Sequence, residues 1–269
     1  MKFKMLLSTA IATAAIATAF SANATPVFPV FSVNPGVGEQ GTAGVFQAND
    51  LGGQYNEVVT FTTATQFNVS LIFIGGQFTL DDTTNPVVYN GSQSGLGNNY
   101  GLYATFLGSG TYSTAGGTTT FNLTAGNLSL ALDKDNNTTY TPPANGSIAY
   151  SLLNTGDDIL LATGTNTTGT GTSLGNNCGN NNCGSFGQTT PLALTGAGSS
   201  FFPVPNPFYN LALTSGQFQG INPVVGTSVT SFGTANTVFK IPEPSPLALL
   251  GLGLVALGLT RRRSGKAKA

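Results

Sequence analysis

The sequence has no histidine, no tryptophan, two cysteines and little charge: only 7% of its 269 residues are Asp, Glu, Lys or Arg. Each shortage excludes something. Without histidine the chain lacks the commonest general base and the usual partner of a nucleophilic serine. Without tryptophan it lacks the strongest platform for stacking on sugars. Charge far below the usual quarter of residues leaves the surface to Thr, Ser, Asn, Gln and Gly, as suits a secreted protein in a hydrated matrix. Cations are scarcest in the body of the chain. Between 25 and 241, nine acids (Glu39, Asp50, Glu57, Asp81, Asp82, Asp133, Asp135, Asp157, Asp158) face Lys134 and Lys240, a net charge of −7. That balance offers no electrostatic footprint for nucleic acid or anionic lipid. No enzyme activity and no obligatory cofactor are expected.

The two ends read differently from the body. Lys2 and Lys4 precede an apolar, Ala-rich run over 5–20, and Ala22-Asn23-Ala24 fits the small-x-small rule of signal peptidase. Residues 1–24 are therefore expected to be a secretory signal peptide. At the other end, Pro242, Pro244 and Pro246 restrict the backbone to extended forms. An uncharged run over 247–259 follows, then Arg261-Arg262-Arg263. As a helix that run reaches only ~20 Å, against a hydrocarbon core of about 30 Å. The arginines are expected to stop transfer and stay in the cytoplasm. The combination describes a weak, temporary membrane stop beside an accessible peptide.

In Pro242-Glu243-Pro244, the short apolar helix and the Arg cluster, the chain resembles PEP-CTERM sorting-signal proteins. The resemblance covers about a tenth of the chain. It implies removal of the tail by exosortase, a membrane-embedded transpeptidase-like enzyme. Export through the inner membrane of a Gram-negative-type bacterium would come first, and release or attachment at the cell surface or in the extracellular matrix would follow the removal. The expected organisation is a signal peptide over 1–24, a passenger over 25–240 and a sorting signal over 241–269.

The passenger reads as all-β. Phe67, Val69, Leu71 and Phe73 alternate with Asn68, Ser70 and Ile72, and Leu128, Leu130 and Leu132 alternate with Asn127, Ser129 and Ala131. That is the period of a half-buried strand. Further candidates rich in Val, Ile, Phe, Tyr and Thr lie at 56–63, 77–80, 100–107, 118–124, 147–153, 159–163, 208–213 and 237–241. Gly75-Gly76, Asn90-Gly91, Gly116-Gly117, Asn145-Gly146 and Gly156-Asp157 mark turns between them. Many short strands without a fixed repeat predict a single β-sandwich rather than a solenoid. Residues 163–182, nearly all Gly, Thr, Asn and Ser, predict a long loop. That loop leads to Cys178 and Cys183, which are expected to form a disulfide after export. A metal site lacks histidine partners, and C-x4-C is not the redox spacing.

Three local patterns bear on chemistry. Gly36-Val-Gly-Glu-Gln-Gly41 matches a dinucleotide fingerprint but follows Pro35 and opens no helix, so glycine is background there. Asp133, Asp135 and Asn137 stand at positions one, three and five of a calcium loop. Thr138 replaces the glycine at six and Ala144 the glutamate at twelve, so a polar turn is the simpler account. Asp157-Asp158 reads as turn chemistry, with a calcium ligand set or a hydrolytic carboxylate pair as alternatives. Tyr55, Tyr89, Tyr100, Tyr103, Tyr140 and Tyr209 are candidates for sugar stacking, though most suit strand cores.

Across the passenger, Gln54–Phe61 (QYNEVVTF), Asn68-Val-Ser-Leu71, Gly75-Gly-Gln-Phe78, Tyr100-Gly-Leu-Tyr103, Gly156–Gly164 (GDDILLATG), Cys183-Gly-Ser-Phe186 and Pro207-Phe-Tyr-Asn-Leu211 resemble flocculation-associated PEP-CTERM proteins. The resemblance implies a part in bacterial flocculation together with exopolysaccharide, and supplies no catalytic residues. A lectin-like carbohydrate-binding module is the alternative, followed by a secreted hydrolase.

Overall fold

The structure, a computed structural model, describes residues 29–38, 44–81, 86–174, 183–215 and 221–240. The signal peptide, with Ala22 and Ala24, lies outside them. So do Cys178, the sorting residues Pro242, Glu243, Pro244 and Arg261–Arg263, and the apolar run 247–259. No helix among the described residues is long and apolar enough to cross a membrane.

The first strands are β1 (Phe31–Val33), β2 (Phe46–Ala48), β3 (Asp50–Phe61), β4 (Gln66–Leu80) and β5 (Val87–Tyr89). Then come β6 (Gly101–Ala115), β7 (Thr118–Asp133), β8 (Thr139–Thr141), β9 (Ser151–Leu153) and β10 (Ile159–Gly164). The last are β11 (Thr168–Ser173), β12 (Gly184–Thr190), β13 (Leu192–Leu194), β14 (Asn210–Ser215) and β15 (Ser228–Lys240). Among the described residues, helix is confined to the turns Pro35–Gly38 and Gly91–Ser94 and the short segment Gly196–Phe201. The domain is all-β, as the alternation predicts.

Its main sheet is an antiparallel meander that closes on itself. Neighbours run β11, β12, β14, β15, β3, β4, β6, β7, and β7 pairs again with β11. Eight strands thus form a barrel-like ring, which brings two facing sandwich-like layers into one continuous sheet. Closure removes the unpaired edges that an open sheet exposes. Strands β10 and β11 lie end to end along β7: Gly164 faces Leu128 and Gly169 faces Leu123, with residues 165–167 breaking the ladder between them.

Two expectations are corrected here. Part of the segment predicted as a loop, 168–173, is β11, the strand that closes the ring. Its polarity has a physical cause. The inward positions are Gly169, Gly171 and Ser173, next to Leu123, Phe121 and Thr119 of β7, and Phe121 is buried. A Cβ at Gly171 would stand 3.3 Å from the Phe186 ring of β12, and one at Gly169 only 2.5 Å from the Gly187 carbonyl, so β11 has no room for a side chain there. The pair Gly75-Gly76, read as a turn, lies inside β4. A Cβ at Gly75 would stand 3.3 Å from Leu51 and from Leu102, which shows how closely the strands pack at the bulge opposite Gly53. Gly116-Gly117 is a true hairpin turn, with φ of 58° and 81°, between β6 and β7, a conformation that favours glycine.

The interior is aliphatic and aromatic. Phe67, Val69, Leu71 and Phe73 of β4 are all buried in it, with Leu102, Ala104 and Phe106 of β6 and Leu128, Leu130 and Leu132 of β7. One end is closed by rings. Phe31 packs on Phe239 at 4.6 Å and on Phe202 at 5.8 Å, and Phe202 stacks on Phe208 at 5.0 Å. Thr195 caps the segment that delivers these residues, its hydroxyl accepting from Gly198 N–H at 3.0 Å. Polar groups also enter the interior. Glu57 faces Ser231 across the β3–β15 ladder, and Glu57 Oε1, Ser231 Oγ, Gln188 Oε1 and Thr237 Oγ1 have no hydrogen-bond partner.

On the outside, the β8–β9 hairpin covers a smaller apolar patch of Val58, Ile72 and Tyr150. It is pinned by Asn56 Nδ2 donating to the Tyr140 hydroxyl at 3.0 Å and by Gly146 N–H donating to Thr60 Oγ1 at 2.7 Å.

Packing is close where β6 and β7 each carry glycine. At Gly126 a Cβ would lie 2.3 Å from the ring of Phe106, itself 3% exposed. Gly126→Ala is expected to destabilise the barrel by about 1–3 kcal/mol through overpacking. A lowered urea midpoint at unchanged slope would register this; an unchanged midpoint would mean that the Phe106 ring has room to turn.

Candidate functional site

Two acidic motifs 24 residues apart in sequence meet because of the β7 ladders. Asp133 is the last residue of β7 and pairs with Gly101 of β6, while the residue before it, Leu132, faces Ile159, the first residue of β10. Asp157 and Asp158, immediately ahead of β10, therefore arrive beside Asp133. One carboxylate oxygen from each of the three lies within 4.8 Å of the others.

Donors hold these carboxylates in place. Thr138 N–H donates to Asp133 Oδ2 at 2.7 Å, and Asp135 N–H donates to Asp157 Oδ2 at 2.8 Å. The Thr138 hydroxyl donates to Asp158, 3.1 Å from Oδ1 and 3.2 Å from Oδ2, and the Tyr103 hydroxyl donates to Asp158 Oδ2 as well. Asn136, at a left-handed φ of 50°, turns the chain so that its Nδ2 reaches the Gly97 carbonyl at 2.9 Å; asparagine tolerates that conformation. Asn154 Nδ2 donates to the Asn137 carbonyl at 3.2 Å, tying the same turn to the end of β9.

Burial divides the three acids. Asp133 is 3% exposed and its Oδ1 has no hydrogen-bond partner, whereas Asp157 and Asp158 are half-buried. Tyr103 feels the whole group. Burial raises its phenol pKa first; the bond to Asp158 and the charges of Asp158, Asp133 and Asp157 raise it further. The phenol stays protonated as a donor.

Of the calcium-loop residues read from sequence, Asp133 joins this group, while the side chains of Asp135 and Asn137 are exposed and outside it. The pair Asp157-Asp158 joins it too. Sequence reasoning weighed these motifs singly and missed Thr138 and Tyr103. No signal in the sequence links them without the strand register. Most candidate stacking tyrosines face inward or pack on neighbours: Tyr55, Tyr100 and Tyr103 are buried, and Tyr89 lies against Phe46 at 4.5 Å. Tyr140 is exposed at the β8–β9 hairpin, and Tyr209 packs beside Phe208. Cys183 is buried at the start of β12, and no described cysteine is free.

A second surface feature is an open groove of about 270 Å3 on the outer face of β4, β6 and β7. Asn68, Ser109, Asn127 and Ser147 line it together with Leu107 and Ala125, and Gly108 and Gly126 leave it without side chains at two positions. Its polar character is that of amides and hydroxyls, without a charged group.

Comparison with known proteins locates one relationship. No curated protein and no solved structure matches the chain. The family that does match is the PEP-CTERM protein-sorting motif, over residues 240–263, the stretch that holds Pro242, Glu243, Pro244 and Arg261–Arg263. Such a motif marks an exported substrate of exosortase, anchored transiently at the membrane before processing. The chain thus carries a PEP-CTERM protein-sorting motif directly behind a closed β domain.

Proposed function

We propose that the processed domain is a structural protein of the extracellular matrix that holds bacterial cells in flocs by engaging exopolysaccharide. The observation that carries this reading is a sorting signal attached to a closed barrel whose outer groove is lined by neutral amides and hydroxyls. Such groups exchange hydrogen bonds with the hydroxyls of a polysaccharide, and glycine lets a chain approach the backbone. Binding of this kind needs no aromatic platform, which agrees with the burial of most tyrosines. It is weak per contact and grows with multiplicity along a polymer.

Catalysis has no part in the proposal. The three carboxylates lie within 4.8 Å of one another. Paired glycosidase acids stand about 5–9.5 Å apart to flank a sugar. Deleting the chain is expected to abolish flocculation and re-expression to restore it. Purified processed protein should co-sediment with the native exopolysaccharide, and Asn68→Ala combined with Asn127→Ala should reduce that binding. Normal flocs in the deletion strain overturn the matrix reading. Saturable binding to one defined oligosaccharide, with normal flocs, would favour the lectin-like alternative.

A further inference from the structure

We propose that Asp133, Asp157 and Asp158 form a calcium site at the end of the barrel where β7 meets β10. The three converging oxygens lie within 4.8 Å of one another. Calcium binds oxygen at about 2.3–2.6 Å, so two oxygens on one ion stand at most about 5 Å apart. The group falls inside that limit. Magnesium, at about 2.0–2.1 Å, draws its ligands closer and demands near-ideal octahedral geometry.

The second observation is Asp133 itself. It is 3% exposed, and its Oδ1 has no partner although Oδ2 of the same carboxylate accepts from Thr138. A buried carboxylate oxygen with no donor is costly. A cation on that carboxylate removes the cost. The donors from Thr138, Asp135 and Tyr103 fix the orientation of the carboxylates and leave lone pairs for an ion. Charge points the same way. Three carboxylates within 4.8 Å of one another repel, and a divalent ion offsets that repulsion. Half-buried Asp157 and Asp158 leave a path for the ion and for the waters that complete its shell. The site is independent of the flocculation reading.

The test uses the exported, processed protein, stripped with a chelator and titrated with calcium by calorimetry. One ion per chain is expected, with Kd in the range of about 10⁻⁴–10⁻³ M typical of extracellular modules. Asp157→Asn and Asp158→Asn should each weaken binding by about tenfold or more, as loss of one charged ligand does, with the far-UV spectrum unchanged. Asp135→Asn should leave affinity as it was. Terbium, bound in place of calcium, should be sensitised by Tyr103, and Tyr103→Phe should abolish most of that emission. The proposal is overturned if the wild type binds no calcium or binds magnesium equally well. It is overturned too if Asp135→Asn weakens binding as much as Asp158→Asn, or if terbium emission survives Tyr103→Phe undiminished.

Discussion

Glu243→Ala is expected to leave export intact and to trap the protein at the membrane in its unprocessed length. Residues 247–259 carry no charge and Arg261–Arg263 remain in place, so transfer still halts where it does in the wild type. What is lost is the central carboxylate of the Pro-Glu-Pro motif, which we propose the processing enzyme reads. An apolar run reaching only ~20 Å is a poor permanent anchor, so the trapped form should be extractable under milder conditions than a full-span protein. Replacing 247–259 by about 20 Leu and Ala residues gives that comparison, since such a length matches the bilayer. Fractionation followed by immunoblotting reads the outcome, with flocculation scored in the same cultures. Release of mature-length protein at the wild-type level by the Glu243→Ala strain, with normal flocs, sinks both the sorting role of this residue and its link to aggregation.

The second large effect lies inside the barrel. Glu57 is 4% exposed, its Oε1 has no partner, and it lines a cavity of about 20 Å3 with Val59, Phe67, Phe106 and Gln188. Burial pushes its pKa from 4.5 up to about 8. Between those two values the folded protein holds a proton that the unfolded chain has released. Stability therefore falls as pH rises across this window and levels off above it. Across the whole window the loss is on the order of 5 kcal/mol. Asp50, pushed by burial from 3.8 to about 6, acts with the same sign at lower pH, so the interval between 6 and 8 isolates Glu57. Glu57→Gln keeps the shape, cannot ionise, and offers its amide to the orphaned Gln188 Oε1. Urea unfolding at pH 6, 7 and 8 should show a falling midpoint for the wild type and a nearly flat one for the variant, which is the more stable at pH 8. Parallel pH dependence in the two proteins would remove Glu57 as the cause.

What the sequence made legible follows the same interior. Strands β4 and β7 were readable because large side chains alternate with polar ones over several residues. Strand β11 and most of β15 were not. Their inward positions include Gly169, Gly171 and Ser173, and Ser231, Gly233 and Ala235, small residues that break the alternation; at Gly169 and Gly171 the backbone of β12 and the Phe186 side chain take the space a side chain would need. A closed sheet shares its core volume unequally among strands, and alternation is lost where the share is small. Closure itself depends on β7 meeting β11 and β3 meeting β15, pairings that turn signals do not encode. The carboxylate group was half legible: each acidic motif stood out alone, but their union depends on Leu132 facing Ile159.

The last strand sets a mechanical limit on processing. Lys240 still pairs with Asn210 in the β14–β15 ladder, and Glu243 follows three residues later. Three residues fully extended span at most about 10 Å. The enzyme that reads Glu243 must therefore work almost in contact with the rim of a folded barrel, on a tether too short to swing clear. Lengthening the tether at Lys240 with glycine and serine should speed processing if that crowding is rate-limiting, and detaching β15 from the ladder would give the same access at the expense of the seam that closes the barrel.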